Sequence, residues 1–300
     1  MTLINRQDFV TVKSSRSDPY LRNVARVYSD DPELWRKVLG DSMFFHHGVY
    51  DGMDLSLEEA AERYLDAQIA LANVPRPVDR ILEIGCGWGP VLRSLARRFP
   101  ECPTLDGINI SESQLRWASR LIRDAGVADR VNLYLCNAQD IDLLPNPSRQ
   151  YDLVILRGAI AHFTPEVLKQ VHVLLRQRVK TGGIVLIAEI LYLDPDTYAS
   201  AIEDTVDRIA CGYRKSPKQI NDLLTANGFT VTDTRILPSI EDTIHWFTDI
   251  QRNIDRSFPE GPPTAVLQEL HDVVSNMNVV LSTGQVAAFS IVARREEDVR

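Results

Sequence analysis

The chain has 300 residues, 44% of them hydrophobic, enough for one large domain or for a core with a smaller subdomain. Its 41 acidic and 33 basic residues leave a net charge of -8, a poor match to nucleic acid, whose binding needs a basic surface that releases counterions. No apolar run approaches the length of a membrane span, Met1–Asp8 lacks the charged head and apolar stretch of a secretory signal, and Cys86, Cys102, Cys136 and Cys211 form no C-x-x-C pair. A cytoplasmic protein with reduced thiols, binding neither membrane nor nucleic acid, is expected.

In chain order, residues 1–78 form a helical arm, with helices predicted over Asp18 to Tyr28, Pro32 to Leu39 and Leu57 to Leu71 and a breaker at Pro75-Arg76-Pro77. Such an arm could exchange between two copies of the chain, although nothing in the sequence requires it. A core over 79–192 follows, opening with the strand Ile81-Leu82-Glu83-Ile84 and the turn Gly85-Cys86-Gly87-Trp88-Gly89, then a helix from Pro90. Glycine lacks a Cβ, so this turn can take strained angles and let the backbone approach a ligand. A second strand from Thr104 leads to a helix capped by Ser111, with Gln114 completing the capping-box pattern. Further strands are expected at Val131 to Cys136, from Tyr151, and after Gly182-Gly183. Over 193–300 the core continues with helical insertions at about 193–225 and 238–280. Helices are expected at Pro195 to Ile209, after Ser216, and as a pair between Pro238 and about Met277. Strands are expected at Gly228 to Leu237 and Val286 to Ala293.

The spacing of the glycines selects the cofactor. A dinucleotide fingerprint wants G-x-G-x-x-G, whereas here Pro90 stands where its third glycine belongs. The order Glu83, Gly85, Gly87, Gly89 resembles E-x-G-x-G-x-G, motif I of the class I S-adenosylmethionine (SAM) methyltransferases. The segment Gly107-Ile108-Asn109-Ile110-Ser111-Glu112-Ser113-Gln114 resembles an element of the gamma-tocopherol methyltransferase and cyclopropane synthase group. That resemblance places Asn109 at the ribose-reading position with Gln114 beside it; Asp106 is a fallback of opposite strand parity. Asn137-Ala138-Gln139-Asp140 is similar to the stretch that clasps adenine, with Asn137 where an aspartate is usual, and Tyr151 to Phe163 resembles the strand that leads to an H-F pair at the active-site face.

This resemblance implies an α/β, Rossmann-like, seven-stranded and mostly parallel sheet with a terminal antiparallel hairpin, a helical arm and helical insertions over the acceptor site. It implies SAM as cofactor, S-adenosylhomocysteine as product, no metal, and cofactor contacts from Glu83, Gly85, Cys86, Gly87, Gly89, Asn109, Gln114, Asn137, Ala138, Gln139 and Arg157. Phe44 to Gly52 resembles the H-H/W-G-Y-Y/F-D segment of the same group, and Thr243 to Phe247 its aromatic insert. Phe45, His46, Tyr50, His162, His245 and Trp246 are therefore candidates for acceptor binding, with plain packing as the alternative for the aromatics.

Methyl transfer is an in-line displacement, so alignment supplies much of the rate and a base is needed only if the acceptor must lose a proton. His162 is the first candidate base, since an unperturbed imidazole titrates near neutrality; a structural histidine is the alternative. Glu189 and Tyr20, the latter on the arm, come next. The expected activity is methylation of a small, mostly apolar metabolite, with a lean to carbon. Methylation of oxygen or nitrogen, SAM-dependent cyclisation or cyclopropanation, and a SAM-binding module without turnover remain open.

Overall fold

The computed structural model describes residues 8–200 and 208–297. Its centre is an eight-stranded sheet made of β1 (Val10–Thr11), β2 (Arg80–Ile84), β3 (Thr104–Asn109), β4 (Val131–Leu135), β5 (Tyr151–Arg157), β6 (Val179–Tyr192), β7 (Phe229–Ile236) and β8 (Val286–Arg295). The spatial order is β1-β4-β3-β2-β5-β6-β8-β7, parallel from β1 to β6, with β8 antiparallel to both of its neighbours. Strand β2 is buried at every position and β5 at all but Asp152, because helices cover both faces of the sheet at its middle. The seven expected strands are joined by one more, β1, whose two exposed residues pair with Tyr134 and Leu135 at the edge. So short a strand carries no alternation for sequence reading to detect.

Nine α-helices are described: α1 (Leu21–Val27), α2 (Pro32–Leu39), α3 (Leu57–Ala72), α4 (Pro90–Arg98), α5 (Glu112–Asp124), α6 (Pro165–Arg178), α7 (Pro217–Ala226), α8 (Ile240–Ser257) and α9 (Ala265–Ser282). Among the described residues, no helix is long and apolar enough to cross a membrane. Proline begins α2, α4, α6 and α7, where its missing N–H costs nothing. Ser56 and Glu59 close a complete capping box at α3. At α5 only half of the box forms: Ser111 accepts from the Gln114 amide, but the Gln114 side chain turns to Asn109. The helix expected over Pro195 to Ile209 falls partly on 201–207, outside the described residues. Of the remainder, 195–200 are turn and irregular chain, begun by an Asp194 carboxylate that accepts from the Asp196 amide, and Arg208 and Ile209 belong to a short 3-10 turn over Arg208–Ala210.

Chain order reverses beside β2, with β3 and β4 on one side and β5 and β6 on the other, which opens a crevice at the carboxyl ends of the strands. One apolar cluster roofs that crevice, uniting Tyr20, Val24 and Trp35 of the N-terminal helical region with Trp88 of the glycine turn and with residues of α8 and α9. Arg26 grips Glu269 through two 3.0 Å bonds, and Asn253 donates to the Val38 carbonyl at 2.9 Å, tying α1 to α9 and α2 to α8. Asp106 points away from the crevice, as its parity requires. It is fully buried and accepts from Arg80, Tyr151 and Asn132, so it braces the sheet and is not available to a ribose.

Candidate functional site

The outer of two adjoining cavities lies over the glycine turn. Gly85, Gly87 and Gly89 have φ of +79°, +52° and +87°, angles that L side chains rarely adopt. They do different things. A Cβ on Gly85 would stand 2.8 Å from the Ala159 Cβ, and one on Gly89 would stand 2.9 Å from the Ala118 Cβ. Gly89 thus lets α4 and α5 close on each other and does not line the cavity, whereas Gly87 lines it and a Cβ there would meet the Gln114 Nε2 at an ordinary 3.9 Å. The Gly85 and Cys86 amides donate to the Ile108 carbonyl at 2.9 and 3.0 Å, fixing the turn to β3.

Glu83, Cys86, Asn109, Gln114, Ala138 and Arg157 also line this cavity, as do Gly85, Gly87 and Asn137. The Glu83 carboxyl is buried, its Oε2 has no partner, and burial raises its pKa to about 8 against the opposing pull of Arg157. A buried acceptor atom left unsatisfied fits the ammonium of an amino-acid ligand such as SAM. Asn109 Nδ2 donates to Gln114 Oε1 at 2.7 Å, so the pair is locked and its spare donors are those of Gln114 Nε2, on the Gly87 side. Asn137 is more committed than its sequence position suggests: Oδ1 accepts from the Gln139 amide and Nδ2 donates to Asp18 Oδ2 at 2.8 Å. Asp18 lines the cavity and Gln139 does not, its carbonyl being held by Arg16 at 2.7 Å. Arg157 is an organiser: it donates to Gln68 at 2.7 Å and to His46 Nδ1 at 3.1 Å, with its guanidinium over the Tyr64 ring.

The inner cavity is larger, about 200 Å3 against 130 Å3, and shares a wall with the outer one at Tyr28, Phe45, His46, Gly158 and His162. His162 bonds the Ala210 carbonyl through Nδ1 at 2.9 Å. A carbonyl only accepts, so Nδ1 carries the proton, and Nε2 accepts from the Tyr28 hydroxyl at 3.0 Å. Burial lowers the His162 pKa to about 4 and raises that of Tyr28, so both groups are neutral at pH 7. His46 cannot serve as base, because Arg157 donates into its Nδ1 and burial, Arg157 and His47 hold its pKa well below the usual value.

Deeper in the inner cavity, Tyr192, Tyr213, Trp246 and Phe247 supply aromatic surface, and Glu189 and Lys215 supply charge. Glu189 accepts from the Ala161 and Ile190 amides at 3.1 and 3.2 Å, and burial raises its pKa to about 7. Lys215 donates to the Ala161 carbonyl at 3.0 Å, and burial lowers its pKa to about 8 against Glu189 and Cys211. Among the described residues, no three His, Cys, Asp or Glu side chains assemble into a metal-binding group.

The structure leaves Tyr20, Tyr50 and His245 outside both cavities. Tyr20 Oη accepts from the Gly212 amide at 3.3 Å and its ring meets Tyr213 edge-on at 5.3 Å, so it braces the inner wall from behind. Tyr50 and His245 stack on each other, 4.1 Å apart and 8° from parallel. Successive helical residues point about 100° apart, so turning Trp246 inward sends His245 elsewhere. Conversely, Tyr28, Asp18, Cys211 and Lys215 line the cavities without having been singled out from sequence. Tyr28 looked like the last residue of a helix, and Lys215 like a loop residue before the Ser216 cap.

A glycine turn at the head of a parallel sheet, roofed by helices over two joined cavities, defines the fold of the class I SAM-dependent methyltransferases. The sequence matches the mycolic acid cyclopropane synthetase family over residues 15–260, and the chain belongs to that family. It is similar to chloroplastic tocopherol O-methyltransferase of Arabidopsis thaliana, 26% identical over 190 residues, covering 59% of this chain and 52% of the relative. It is also similar to 27-O-demethylrifamycin SV methyltransferase of Amycolatopsis mediterranei, 29% identical over 182 residues, covering 59% and 64%. The chain therefore matches less than two thirds of either relative's length. In fold it is similar to a cyclopropane synthase of Mycobacterium tuberculosis, with a TM-score of 0.78 at 16% identity over 92% of this chain and 99% of that one.

Proposed function

We propose that this chain transfers the methyl group of SAM to a small, mostly apolar metabolite, with a lean to carbon as the methylated atom. The observation that carries the reading is the shared wall: a cavity over the glycine turn opens onto an aromatic one at Tyr28, Phe45, His46, Gly158 and His162, where a sulfonium methyl and an acceptor atom can meet in line. In this reading Gly85 and Gly87 bare the backbone to the methionine moiety, Glu83 takes its ammonium, the locked Asn109–Gln114 pair meets the ribose, and Asn137 with Ala138 borders adenine. The bound cofactor supplies the electrophilic methyl; all else is done by the chain.

Where the acceptor must give up a proton, Tyr28 and His162 form a relay. Tyr28 takes the acceptor's proton on its oxygen as it hands its own to His162 Nε2, and the Ala210 carbonyl holds the resulting imidazolium through Nδ1. Because burial makes tyrosinate unfavourable, the two transfers belong to one step. Glu189, with its pKa near 7, is a second acceptor of protons, farther inside the inner cavity. The lean to carbon rests on the Gly107 to Gln114 element, and the similarity to an O-methyltransferase keeps oxygen as the runner-up.

Mass spectrometry of small molecules retained by the purified protein, with titration calorimetry against S-adenosylhomocysteine and NAD, tests the cofactor. Micromolar binding of S-adenosylhomocysteine and none of NAD is expected; NAD binding alone would overturn the reading. Acceptors are then screened for the mass gain of one methylene. A product of unchanged mass would move the chemistry to cyclisation.

A further inference from the structure

Lys215 is a buried charge that opens onto a cavity. Its side chain is buried, with the residue only 3% exposed, yet among the described residues it has no carboxylate within ion-pair distance. Its ammonium has three donors and, among the described residues, makes one hydrogen bond, to the Ala161 carbonyl, besides facing the Tyr213 ring at 5.7 Å. The nearest source of negative charge is Glu189, but both oxygens of that carboxyl are already turned to the backbone amides of Ala161 and Ile190. A buried lysine with spare donors is costly to the fold. What surrounds it is a cavity: Lys215, Ala161, Glu189 and Tyr213 all line the inner chamber, and Ala161 adjoins His162 in the chain.

Resting on the methyltransferase reading, we infer that Lys215 anchors an acidic oxygen of the acceptor, a phenol or enol hydroxyl borne on an otherwise apolar or aromatic body. The aromatic lining fits the body and the ammonium fits the oxygen. The placement also solves a problem of the relay. His162 is a weak base in its buried setting, so it can deprotonate only an acceptor whose conjugate base is stabilised elsewhere, and Lys215 provides that stabilisation within the inner cavity that both residues line. The step balances. The hydroxyl proton passes to Tyr28 oxygen while the Tyr28 proton passes to His162 Nε2. The electron pair released on the oxygen forms the new bond to methyl from the oxygen itself or, by enolate delocalisation, from the carbon two bonds away; a phenol ring carbon methylated in this way then gives up its own proton as the oxygen regains one. The sulfur–methyl bond breaks with its pair to sulfur, and one proton leaves to solvent.

The test uses 4-nitrophenol, whose phenolate is coloured, with 4-nitroanisole as its counterpart without an ionisable oxygen. The full chain is titrated with each, in the presence and absence of S-adenosylhomocysteine. Wild type is expected to bind nitrophenol as the phenolate at a pH where the free phenol is mostly protonated, and to bind it at least about tenfold more tightly than nitroanisole, about 1.4 kcal/mol. In Lys215→Met that preference and the colour are expected to vanish while nitroanisole binding stays within about twofold; Lys215→Arg should retain the preference. Lys215→Met should also melt at or above the wild-type temperature, because it removes an uncompensated buried charge, whereas a purely structural lysine would leave the variant less stable. Equal nitrophenol affinity in Lys215→Met, failure of wild type to bind nitrophenol, or a preference for 4-nitrobenzoate would overturn the anchor. Failure to bind S-adenosylhomocysteine would instead overturn the methyltransferase reading, since the nitrophenol preference is read with or without it.

Discussion

The two cavities share a wall but are built by different means. The floor of the outer one is made of consecutive residues at and just beyond strand ends: Glu83 to Trp88 at β2, Ile108 to Ile110 at β3, Cys136 to Ala138 at β4 and Arg157 to Ala159 at β5, with Asp18, Tyr28 and Phe45 among the residues that close it from the N-terminal region. The inner one gathers side chains far apart in sequence, from Phe45 and Glu189 to Lys215, Trp246 and Met277, most of them carried by loops and the two late helices. A pocket of the first kind is fixed by sheet register and offers backbone groups. A pocket of the second kind is fixed by packing and offers rings and charges. The first therefore suits a constant ligand, and the second can change its ligand by substitution without disturbing the sheet.

This division is sharpest at Gly85. Gly85→Val combines a disallowed φ with a clash against Ala159, so it is expected to abolish S-adenosylhomocysteine binding and to lower the melting temperature by several degrees, about 1–3 kcal/mol. Unchanged calorimetric affinity would break the assignment of the outer cavity to the cofactor. Tyr28→Phe and His162→Ala act at the shared wall. Each is expected to keep cofactor affinity within about twofold while lowering turnover by roughly 10²–10⁴-fold, and the double variant should be no worse than the poorer single one, because the pair works as a unit. Additive losses would show that they act separately.

Glu83 distinguishes the cavities by proton count. With a pKa near 8 in the free protein, it holds a proton at pH 7 and should lose it when an ammonium arrives. Binding of S-adenosylhomocysteine then releases protons, seen as a heat that varies with the ionisation enthalpy of the buffer, and Glu83→Gln should remove that dependence. Glu189 gives the corresponding signal in the inner cavity. Its folded pKa, about 7, lies above the ordinary 4.5, so the folded state binds the extra proton and stability falls as pH rises from about 4.5 to 7. Glu189→Gln should flatten that part of the melting-temperature profile. The smallest effect is expected at His245, which lies outside both cavities: His245→Ala should leave turnover within about twofold, and a larger loss would place the acceptor beyond the inner chamber.

How much could be read in advance follows the same division. The glycine turn, the Asn109–Gln114 pair and the approach of Tyr151 to Phe163 are local patterns, and each sits where its order along the chain placed it. The helices fixed by their own caps, such as α2 and α3, also fell within a residue of expectation. Side-chain direction across long range was not legible. Tyr50 and Tyr20 carry the right chemistry but face away, and Tyr28 and Lys215 look ordinary until the fold buries them. Gly89 shows the limit within a motif: its spacing belongs to the cofactor turn, while its missing Cβ serves the contact with Ala118. Nothing in sequence distinguishes those two uses of one glycine.

The place of β8 has a consequence for how the chain is made. It is the last strand in sequence, yet it lies between β6 and β7, bonded to both along most of its length. Until β8 emerges, β6 and β7 each keep an unpaired edge, and α8 and α9, which precede it, have no sheet to be anchored to on that side. The inner cavity, whose walls include residues of α8, α9 and β6, is therefore completed only after β8 has been made. The glycine turn and its neighbouring strands precede β8 by more than a hundred residues, so the outer cavity takes shape on the growing chain while the inner one is still unassembled.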